Sequence, residues 1–418
     1  MARIAITGGS FHGNSGAEAM LVTTIARLRE AIGDVEFGVL SPYFSDDRVV
    51  FQDTREIRLL NSSPLYLALV IFPCSLLLGV LRLIGLPIHR TPCPIPVKFL
   101  ASCDLLVDIA GVSFIDGRKK FLPYNALSIY PAFLLGKPVI KFAQAIGPIK
   151  HWMNRLVARP CLEKCSHVFA RGEQTFGHLK EFGLSPDKFT LAPDIAFLHK
   201  ESDACTERCS PETMEGLSVF LSQCSGPKIG ICPSSVLYRG ENGRAYLDLL
   251  VSLIRDLGAK GIGAVVFPNA TKNHRPKTLR NNDLPLLALL KQLAGETSGV
   301  HFIETDLNAS DVRKIIRTVD LVVVSRFHAM IFALLENCPP LVISWSHKYR
   351  EVMDFFSLGD LVTDRQSTNP SLLLAAVETA LSKRPALQEQ IKNRLPTVQT
   401  QAKTQIDAAV NLIKSRRP

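Results

Sequence analysis

The stretch LVVVSRFHAM, Leu321 to Met330, changes from a strand pattern to a helix pattern. A buried strand that leads directly into a helix indicates an α/β fold. Four apolar residues in a row are typical of a parallel strand that is covered on both faces. Arg326 and His328 follow at once, so we expect them at the carboxyl end of that strand. Open α/β sheets bind their ligands at this edge, which makes the cationic pair a candidate anion site.

Short apolar runs alternate with amphipathic stretches on both sides of one polar segment. Five runs, beginning with RIAITGG, precede that segment, and five more, from KIGICPS to PPLVISW, follow it. Strands that alternate with helices predict parallel sheets, so we expect an α/β protein with two doubly wound Rossmann-like domains facing a cleft. The predicted divisions are an N-terminal domain at 1–199, a linker at 200–216, a C-terminal domain at 217–369 and C-terminal helices at 370–418.

Composition limits the partners of the protein. Apolar residues make up 47% of the 418 residues and charged residues 21%, which is typical of a globular protein with a sizeable core. The formal net charge of +10 favours anionic partners such as phosphates, acidic glycans or anionic lipid surfaces. Nucleic acid is not predicted as a partner, because the sequence has no basic run interleaved with aromatic residues and no recognised nucleic-acid motif.

The N-terminus and the cysteines indicate a reducing compartment. The opening MARIAITGG starts as a strand and lacks the basic and apolar regions of a signal peptide, so a cytoplasmic location is expected. Most of the ten cysteines are then expected to be buried thiols. Two pairs have three intervening residues, Cys161 with Cys165 and Cys205 with Cys209. Neither pair has a zinc-type CxxC frame, so we predict no metal and no other cofactor.

The segment PLYLALVIFPCSLLLGVLRLIGLP, Pro64 to Pro87, interrupts the alternation. Its first 18 residues carry no charge, which approaches the length of a membrane-spanning helix. A span would separate the strands on either side of it, which should share one sheet, so we reject a span. Two alternatives remain, a buried core helix or an interfacial hairpin at a membrane with basic neighbours at the headgroups. Those neighbours are Arg82, His89, Arg90 and Lys98.

Three glycine-containing turns follow predicted strands. The first, TGGSFHGNSGAEAM, has glycines at 8, 9, 13 and 16 and leads into a helix whose N-terminus can receive an anion. This is not the dinucleotide GxGxxG frame, and ordinary turn chemistry is the alternative interpretation. The other two turns are DIAGVSFIDGR and AQAIGPIK, and the last places Gln144 near the end of a strand.

Taken in chain order, seven motifs make the sequence similar to the polysaccharide pyruvyl transferase family, whose members look like two-domain GT-B-type proteins. They are GNSGAEAML, DIAGVSFIDG, AQAIGPI, VFARGEQTFGHLKEFG, APDIAF, SRFHAMIFAL and ISWSHKYREVMDFF. The resemblance covers nearly the whole chain, and its most specific parts are Arg-x-His at 326–328 and Lys348. The chain departs from the family pattern at three positions. Ala17 stands where the family usually has an aspartate, and Gly172 stands where the family usually has the aspartate of an Arg-Asp pair. Val112 stands where the family usually has the last glycine of a GGG sequence.

The resemblance implies transfer of a pyruvyl group from phosphoenolpyruvate onto two hydroxyls of a sugar, with ketal formation and release of phosphate. The implied acceptor is a cell-surface polysaccharide precursor, which can be a lipid-linked glycan. Such a reaction needs cations for phosphate and carboxylate groups and a side chain that moves a proton. The predicted catalytic residues are His328 and Glu18. The predicted substrate-binding residues are Arg326, Lys348, Arg171, Gly13, Asn14, Gln144 and Asp194.

Other interpretations of these residues and of the function stay open. Arg171 is also suited to a structural bridge, Glu18 to a first-turn helix position and Asp194 to a turn. A GT-B glycosyltransferase that uses a nucleotide sugar is the alternative enzyme, and it would release a nucleoside diphosphate instead of phosphate. A non-catalytic relative that binds an anionic glycan or a partner enzyme is the third hypothesis. If the apolar segment is interfacial, the expected location is peripheral at the inner face of the plasma membrane.

Overall fold

The computed structural model describes residues 1–86, 92–203, 208–272, 281–344, 346, 348–364 and 367–416. The chain divides into two compact units. Unit 1 comprises Met1–Phe11, Met20–His199 and Gln399–Pro418, and unit 2 comprises His12–Ala19 and Lys200–Val398. Each unit is built on its own parallel sheet, so the predicted α/β fold with two Rossmann-like domains is confirmed.

Unit 1 contains eight strands in the described part of the chain. They are β1 (Ala2–Thr7), β2 (Val35–Ser41), β3 (Ile57–Asn61), β4 (Leu105–Asp108), β5 (Val112–Ser113), β6 (Val139–Ile146), β7 (His167–Ala170) and β8 (Phe189–Leu191). Their order is β3-β2-β1-β4-β6-β7-β8, with β5 beside β6, and the pairings are parallel. All eight residues of β6 are buried, as expected where a parallel sheet is covered on both faces.

Helices connect these strands. They are α1 (Ser15–Ile32), α2 (Phe44–Val50), α3 (Pro64–Tyr66), α4 (Phe72–Leu83), α5 (Ile95–Ser102), α6 (Leu122–Leu127), α7 (Tyr130–Leu134), α8 (Trp152–Lys164) and α9 (Glu173–Phe182). A π-helical stretch, Leu67–Ile71, joins α3 to α4. Short 3-10 turns occupy Lys119–Phe121, Pro186–Lys188 and Ile195–Leu198.

Unit 2 contains six strands among its described residues. They are β9 (Lys228–Cys232), β10 (Gly263–Val266), β11 (Val300–Phe302), β12 (Leu321–Val324), β13 (Pro340–Ser344) and β14 (Val362–Asp364). Their order is β11-β10-β9-β12-β13-β14, again with parallel pairings. The helices are α10 (Pro211–Gln223), α11 (Ser235–Tyr238), α12 (Gly243–Ala259), α13 (Leu284–Ala294), α14 (Ala309–Ile316), α15 (Phe327–Leu335), α16 (Lys348–Phe355), α17 (Pro370–Ser382) and α18 (Arg384–Lys414). Two 3-10 turns lie at Glu201–Asp203 and Gly359–Leu361.

The order of the strands explains why the stretch 321–330 matters. In unit 2 the order reverses between β9 and β12, so this pair of strands is the topological switch point of the sheet. Arg326 and His328 follow β12 directly. The cationic pair therefore lies at the point of the sheet where doubly wound folds bind ligands.

Residues His12–Ala19 of the first glycine-rich turn belong to unit 2, whereas Gly8 and Gly9 belong to unit 1; the whole turn was predicted within the N-terminal domain at 1–199. The reason is a set of contacts made by Ser15, whose hydroxyl lies 2.9 Å from Asn269 O and 3.0 Å from Leu307 O. The grouping of His12–Ala19 with unit 2 follows from such bonds.

Two further segments differ from the predicted divisions. The end of α18 belongs to unit 1, where Gln405 Nε2 donates to Pro193 O at 2.9 Å. The predicted linker at 200–216 contains the start of α10, capped by the Ser210 side chain, which accepts from Thr213 N. The polar residues of 200–216 therefore belong partly to the start of a helix and partly to a connecting segment.

The apolar segment forms a helix, Pro64–Leu83, that is long and apolar enough to cross a membrane by length and composition. Only 28% of its most apolar 18-residue window is buried. The alternative of a buried core helix therefore accounts for the smaller part of this segment. β3 before it and β4 after it lie in the same sheet, as predicted, which excludes a span. Arg82 and Lys98 are exposed, and His89 and Arg90 lie outside the described residues.

Candidate functional site

The junction between β12 and α15 surrounds Arg326 with acceptors. Its Nε donates to Asp283 Oδ2 at 3.0 Å, and its Nη2 is ion-paired with Asp283 Oδ1. Nη2 also donates to Ser235 Oγ at 3.0 Å, and Nη1 donates to Asn281 Oδ1 at 3.3 Å. Arg326 is at the predicted edge of the sheet, but it is buried and much of its guanidinium is engaged by protein groups.

Asp283 is the centre of this arrangement, and sequence reasoning did not single it out. Its buried carboxylate also accepts from the backbone N–H groups of Ser235 and Ala270, each at 2.9 Å. These two residues follow β9 and β10, so one carboxylate ties together the loops of three neighbouring strands. Burial lowers the pKa of Arg326, but the charge and hydrogen bonds of Asp283 outweigh burial and leave that pKa raised. Arg326 is therefore held charged, in a fixed orientation.

His328 is the partly exposed residue near the start of α15. Its imidazole packs on Gly16, where the Cβ of any other residue would overlap ring atoms. On another side the ring meets Phe327 edge-on, with the centroids 5.2 Å apart. The glycine of the first turn thus leaves the space that the imidazole fills, and two elements predicted to bind substrate meet inside unit 2.

The first turn also contains Gly13 and Asn14, for which the structure gives local reasons. Gly13 has a φ of +85°, in the left-handed region that favours glycine. Asn14 Oδ1 accepts from Gly16 N at 2.9 Å and from Ala17 N at 3.3 Å, which caps α1. These bonds shape the loop, and contact of either residue with substrate stays a prediction.

Glu18 belongs to a buried cluster of charged side chains in unit 2. Arg208 Nη2 donates to Glu18 Oε1 at 2.9 Å, and Arg208 Nη1 lies 3.9 Å from Asp306 Oδ2. His12 Nε2 lies 3.8 Å from the same Asp306 oxygen, and the Thr271 hydroxyl donates to Asp306 Oδ1. Sequence reasoning missed Arg208, which falls in the predicted linker, and missed His12 and Asp306, which lie in loops without a recognisable spacing.

Lys348 begins α16 and lies beside the junction of β12 and α15. Its Nζ is 5.1 Å from the centroid of the Phe327 ring and 5.5 Å from that of the Tyr349 ring, distances at which a cation interacts with a π face. Tyr349 donates its hydroxyl to Ser325 O at 2.9 Å, which fixes the start of α16 on the end of β12. Unit 2 therefore brings Lys348 to the same strand end as the cationic pair.

Three predicted residues lie together in unit 1 instead. The Arg171 backbone N–H donates to Gln144 O at 3.1 Å, and its Nη1 donates to Asp194 Oδ2 at 3.1 Å. The Gln144 side chain accepts from Ser113 Oγ at 2.8 Å and donates to Asp108 O at 2.9 Å. All three predicted residues are at most 4% exposed. The predicted site residues thus form two groups, one in each unit.

The group in unit 2 combines the functions that chemistry on an anionic substrate requires. Cationic side chains suit phosphate and carboxylate groups, and an imidazole can give or take a proton near neutral pH. Carboxylates are present in the same unit, in the Glu18 and Asp306 cluster. Within the described ranges, no group of three His, Cys, Asp or Glu side chains is arranged to hold a metal ion.

Comparison with solved structures shows the fold. A HepE protein of Anabaena, solved in complex with UDP and glucose, is 13% identical, with 99% of this chain and 100% of that chain covered and a TM-score of 0.57. A glycosyltransferase of Rickettsia africae is 12% identical, with coverage of 99% and 98% and a TM-score of 0.58. A putative UDP-N-acetylglucosamine 2-epimerase of Listeria monocytogenes is 13% identical, with coverage of 100% and 97% and a TM-score of 0.61. At these identities the likeness establishes a GT-B-like fold and nothing about substrates.

Comparison with family models shows the family. The model described as polysaccharide pyruvyl transferase matches residues 14–347. The matched region includes Gly16, Glu18, Arg326 and His328, and it ends one residue before Lys348. Because the match extends over most of the chain, this protein belongs to the polysaccharide pyruvyl transferase family.

Proposed function

We propose that this protein transfers a pyruvyl group from phosphoenolpyruvate onto two hydroxyls of a sugar, forming a cyclic ketal and releasing phosphate. The observation that carries the proposal is the family match over residues 14–347. The geometry that fits it is the strand end in unit 2, where Arg326, His328 and Lys348 lie together. In this reaction both sugar hydroxyls lose a proton: one proton goes to the vinyl carbon of the donor, and the other leaves with the phosphate as the second C–O bond forms and the bond to phosphate breaks. The phosphate and the carboxylate of the donor must be held meanwhile.

We assign His328 the proton transfer, because it lies two positions after Arg326 at the start of α15, in a residue position that is partly exposed although Nε2 itself is buried. Gly16 fixes the position of the ring from one side. Glu18 is the second proposed catalytic group, and its pairing with Arg208 would hold its carboxylate in place. A carboxylate and an imidazole in one unit can share the two proton transfers.

We assign anion binding to Arg326 and Lys348. Arg326 contributes a fixed positive charge, and its orientation depends on Asp283. Lys348 has a flexible ammonium group over Phe327, which can turn toward a phosphate or a carboxylate. Gly13 and Asn14 are proposed to bring backbone and amide groups to the same donor.

We assign Arg171, Gln144 and Asp194 of unit 1 to substrate binding as well. Support comes from their place after parallel strands and from the hydrogen bonds that hold them rigidly. The proposed acceptor is a sugar of a cell-surface polysaccharide precursor, carried on a lipid, and the proposed location is the cytoplasmic face of the membrane. The net charge of +10 is consistent with an anionic donor and an anionic surface.

Product analysis tests this function. The purified chain is incubated with phosphoenolpyruvate and a panel of sugar and lipid-linked acceptors, and inorganic phosphate and the ketal are measured together. Parallel reactions contain UDP-sugars in place of phosphoenolpyruvate. Formation of phosphate and ketal in equal amounts supports the proposal, whereas release of a nucleoside diphosphate would support the glycosyltransferase alternative. Glycan binding without either product would support the non-catalytic alternative.

The His328→Gln variant tests the assigned mechanism. Glutamine keeps the size and a hydrogen-bonding group but cannot carry the proton, so we expect turnover to fall about 10²- to 10⁴-fold with donor affinity within a few fold of the parent. His301→Gln is the matched control, because His301 is stacked on Phe220 in the same unit and has no assigned role. If His328→Gln kept the turnover of the parent, His328 would have only a packing role, and Glu18 would be the residue to test for proton transfer.

A further inference from the structure

The apolar helix, Pro64–Leu83, presents its apolar residues outward. Six of its large apolar side chains are exposed, Leu77 among them, and the other five recur at intervals of four, seven, four and three residues, which places these five on one helical face. They are between 45% and 85% exposed. We call them the outer stripe: Leu65, Leu69, Leu76, Val80 and Leu83.

The opposite face of the apolar helix is anchored in unit 1. Leu67, Ile71 and Leu78 are at most 3% exposed and belong to the core that supports the sheet. Gly79 lies against the backbone of Leu134 in α7, where an added Cβ would come within 2.9 Å of Leu134 O. The helix is therefore fixed along its inner side while its outer stripe is exposed along its length.

Charged residues within the segment that contains the apolar helix have one sign. From Ile57 to Cys103 the sequence contains no Asp and no Glu, whereas it contains four Arg and Lys residues. Among the described ones, Arg82 and Lys98 are exposed at the end of the helix and in α5, and Arg58, also exposed, pairs with Glu36 of β2. Ile95, also in α5, adds a further exposed apolar side chain. An apolar stripe with exposed cations and no carboxylates in its own segment complements a layer of anionic lipid headgroups.

We propose that the outer stripe is a docking surface for a bilayer that contains anionic lipids, with the helix lying in the plane of the interface. A helix of 20 residues would extend roughly 30 Å along the surface. It lies on the bilayer and does not cross it, because β3 and β4 belong to one sheet and the inner face of the helix belongs to the core. The inference goes beyond pyruvyl transfer and does not depend on it.

A lipid surface fits this face better than a second copy of the chain. Two copies that met symmetrically through the outer stripe would bring Arg82 and Lys98 close to the interface, and the segment 57–103 of neither copy has an acid to pair with them. Lipid acyl chains accept the leucines without any directional contact, and the headgroups supply the counter-charge. A lipid surface thus explains both the exposed outer stripe and the positive charge of its segment.

Vesicle flotation tests the proposal with the full-length protein and without any donor or acceptor. Vesicles are made of phosphatidylcholine alone or of phosphatidylcholine with phosphatidylserine. We expect flotation with the mixed vesicles, weakened by salt, and much less with phosphatidylcholine alone. The Leu69→Gln/Leu76→Gln/Leu83→Gln variant replaces three stripe residues by a good helix former, and its partition should fall at least tenfold. Absence of flotation by the parent protein would overturn the proposal.

Matched variants separate docking from folding and from oligomerisation. Val219→Ser with Leu372→Ser changes apolar side chains of similar exposure in unit 2, and it should float as the parent does. Equal flotation of the stripe variant and the parent would overturn the proposal. So would a parent dimer that the stripe variant converts to a monomer, because a second copy would then cover the stripe. Phosphate release with a soluble acceptor should be unchanged in the stripe variant, so failure of flotation and failure of pyruvyl transfer are told apart.

Discussion

α15, Phe327–Leu335, and the apolar helix, Pro64–Leu83, are alike in composition and opposite in environment. Neither contains an acidic residue, and apart from Arg82 the apolar helix contains no charge. Seven of the nine residues of α15 are buried, whereas 28% of the apolar helix window is buried. Apolar composition therefore does not determine burial.

The position of each helix in the strand order explains the difference. α15 connects β12 to β13, which are neighbours inside the sheet of unit 2, so it must cover that sheet as a crossover. The apolar helix follows β3, which is an edge strand of unit 1, and it packs on α7 within a long insertion before β4. A helix that is anchored through one face in such an insertion can keep its other side uncovered, and function can then use that side.

The largest expected effect compares a side chain of α15 with one of the outer stripe. Phe332 is fully buried, so Phe332→Ala should lower the free energy of unfolding by about 3–5 kcal/mol through lost burial and a cavity. Leu83 is 85% exposed, so Leu83→Ala should change it by about 0.5 kcal/mol or less. Chemical denaturation followed by circular dichroism measures both. Equal losses would show that the outer stripe is part of a packed core.

The second prediction concerns His328, which is partly exposed near the start of α15. In Gly16→Ala the new methyl group would overlap the His328 ring, so the ring must move, and turnover in the phosphate-release assay should fall about 10²-fold. Gly177→Ala is the control, because Gly177 lies in α9 with nothing near its Cβ position. That variant should keep parental turnover. Unchanged turnover in Gly16→Ala would mean that the position of His328 is not critical.

The third prediction concerns the residue that precedes α15. Lysine at position 326 keeps the charge but cannot bridge Asp283, Ser235 and Asn281 at once, so Arg326→Lys should weaken binding of phosphoenolpyruvate by about 1.5–3 kcal/mol. Titration calorimetry measures this affinity. Arg350→Lys is the control, because Arg350 is exposed in α16 and donates to backbone carbonyls of residues 359 and 362. Parental affinity in Arg326→Lys would remove residue 326 from donor binding.

The comparison also shows how far sequence reasoning reaches. The alternation of apolar runs predicted both sheets, and the stretch 321–330 predicted the strand end at which Arg326 and His328 lie. These features are local, because a strand and the turn after it are adjacent in sequence. Sequence reasoning also rejected a span at 64–87 on the correct ground that β3 and β4 share one sheet.

The residues that sequence reasoning missed make their contacts with segments that are distant in the sequence. Asp283 is 43 positions from Arg326, and Arg208 is 190 positions from Glu18, so no spacing could join either pair. The assignment of His12–Ala19 to unit 2 depends on bonds from Ser15 to loops more than 250 residues away. Which side of the apolar helix is exposed depends on packing against α7, which composition does not encode.

The smallest expected effect concerns charge beside the outer stripe. Lys98 is exposed in the acid-free segment, and a basic residue near an anionic bilayer contributes about 1 kcal/mol of binding, so Lys98→Gln should lower vesicle affinity roughly fivefold. The change should be seen with phosphatidylserine-containing vesicles and should fade at high salt, because screening removes the contribution of one surface charge. Lys383→Gln is the control, since Lys383 is exposed in unit 2, away from the acid-free segment. If both variants lowered the affinity equally, the attraction would arise from the net charge of the protein. Local charge would then no longer be an argument that the apolar helix is the docking face. If neither did, the outer stripe would bind by apolar contact alone, and neutral vesicles should then float the parent protein as well as anionic ones.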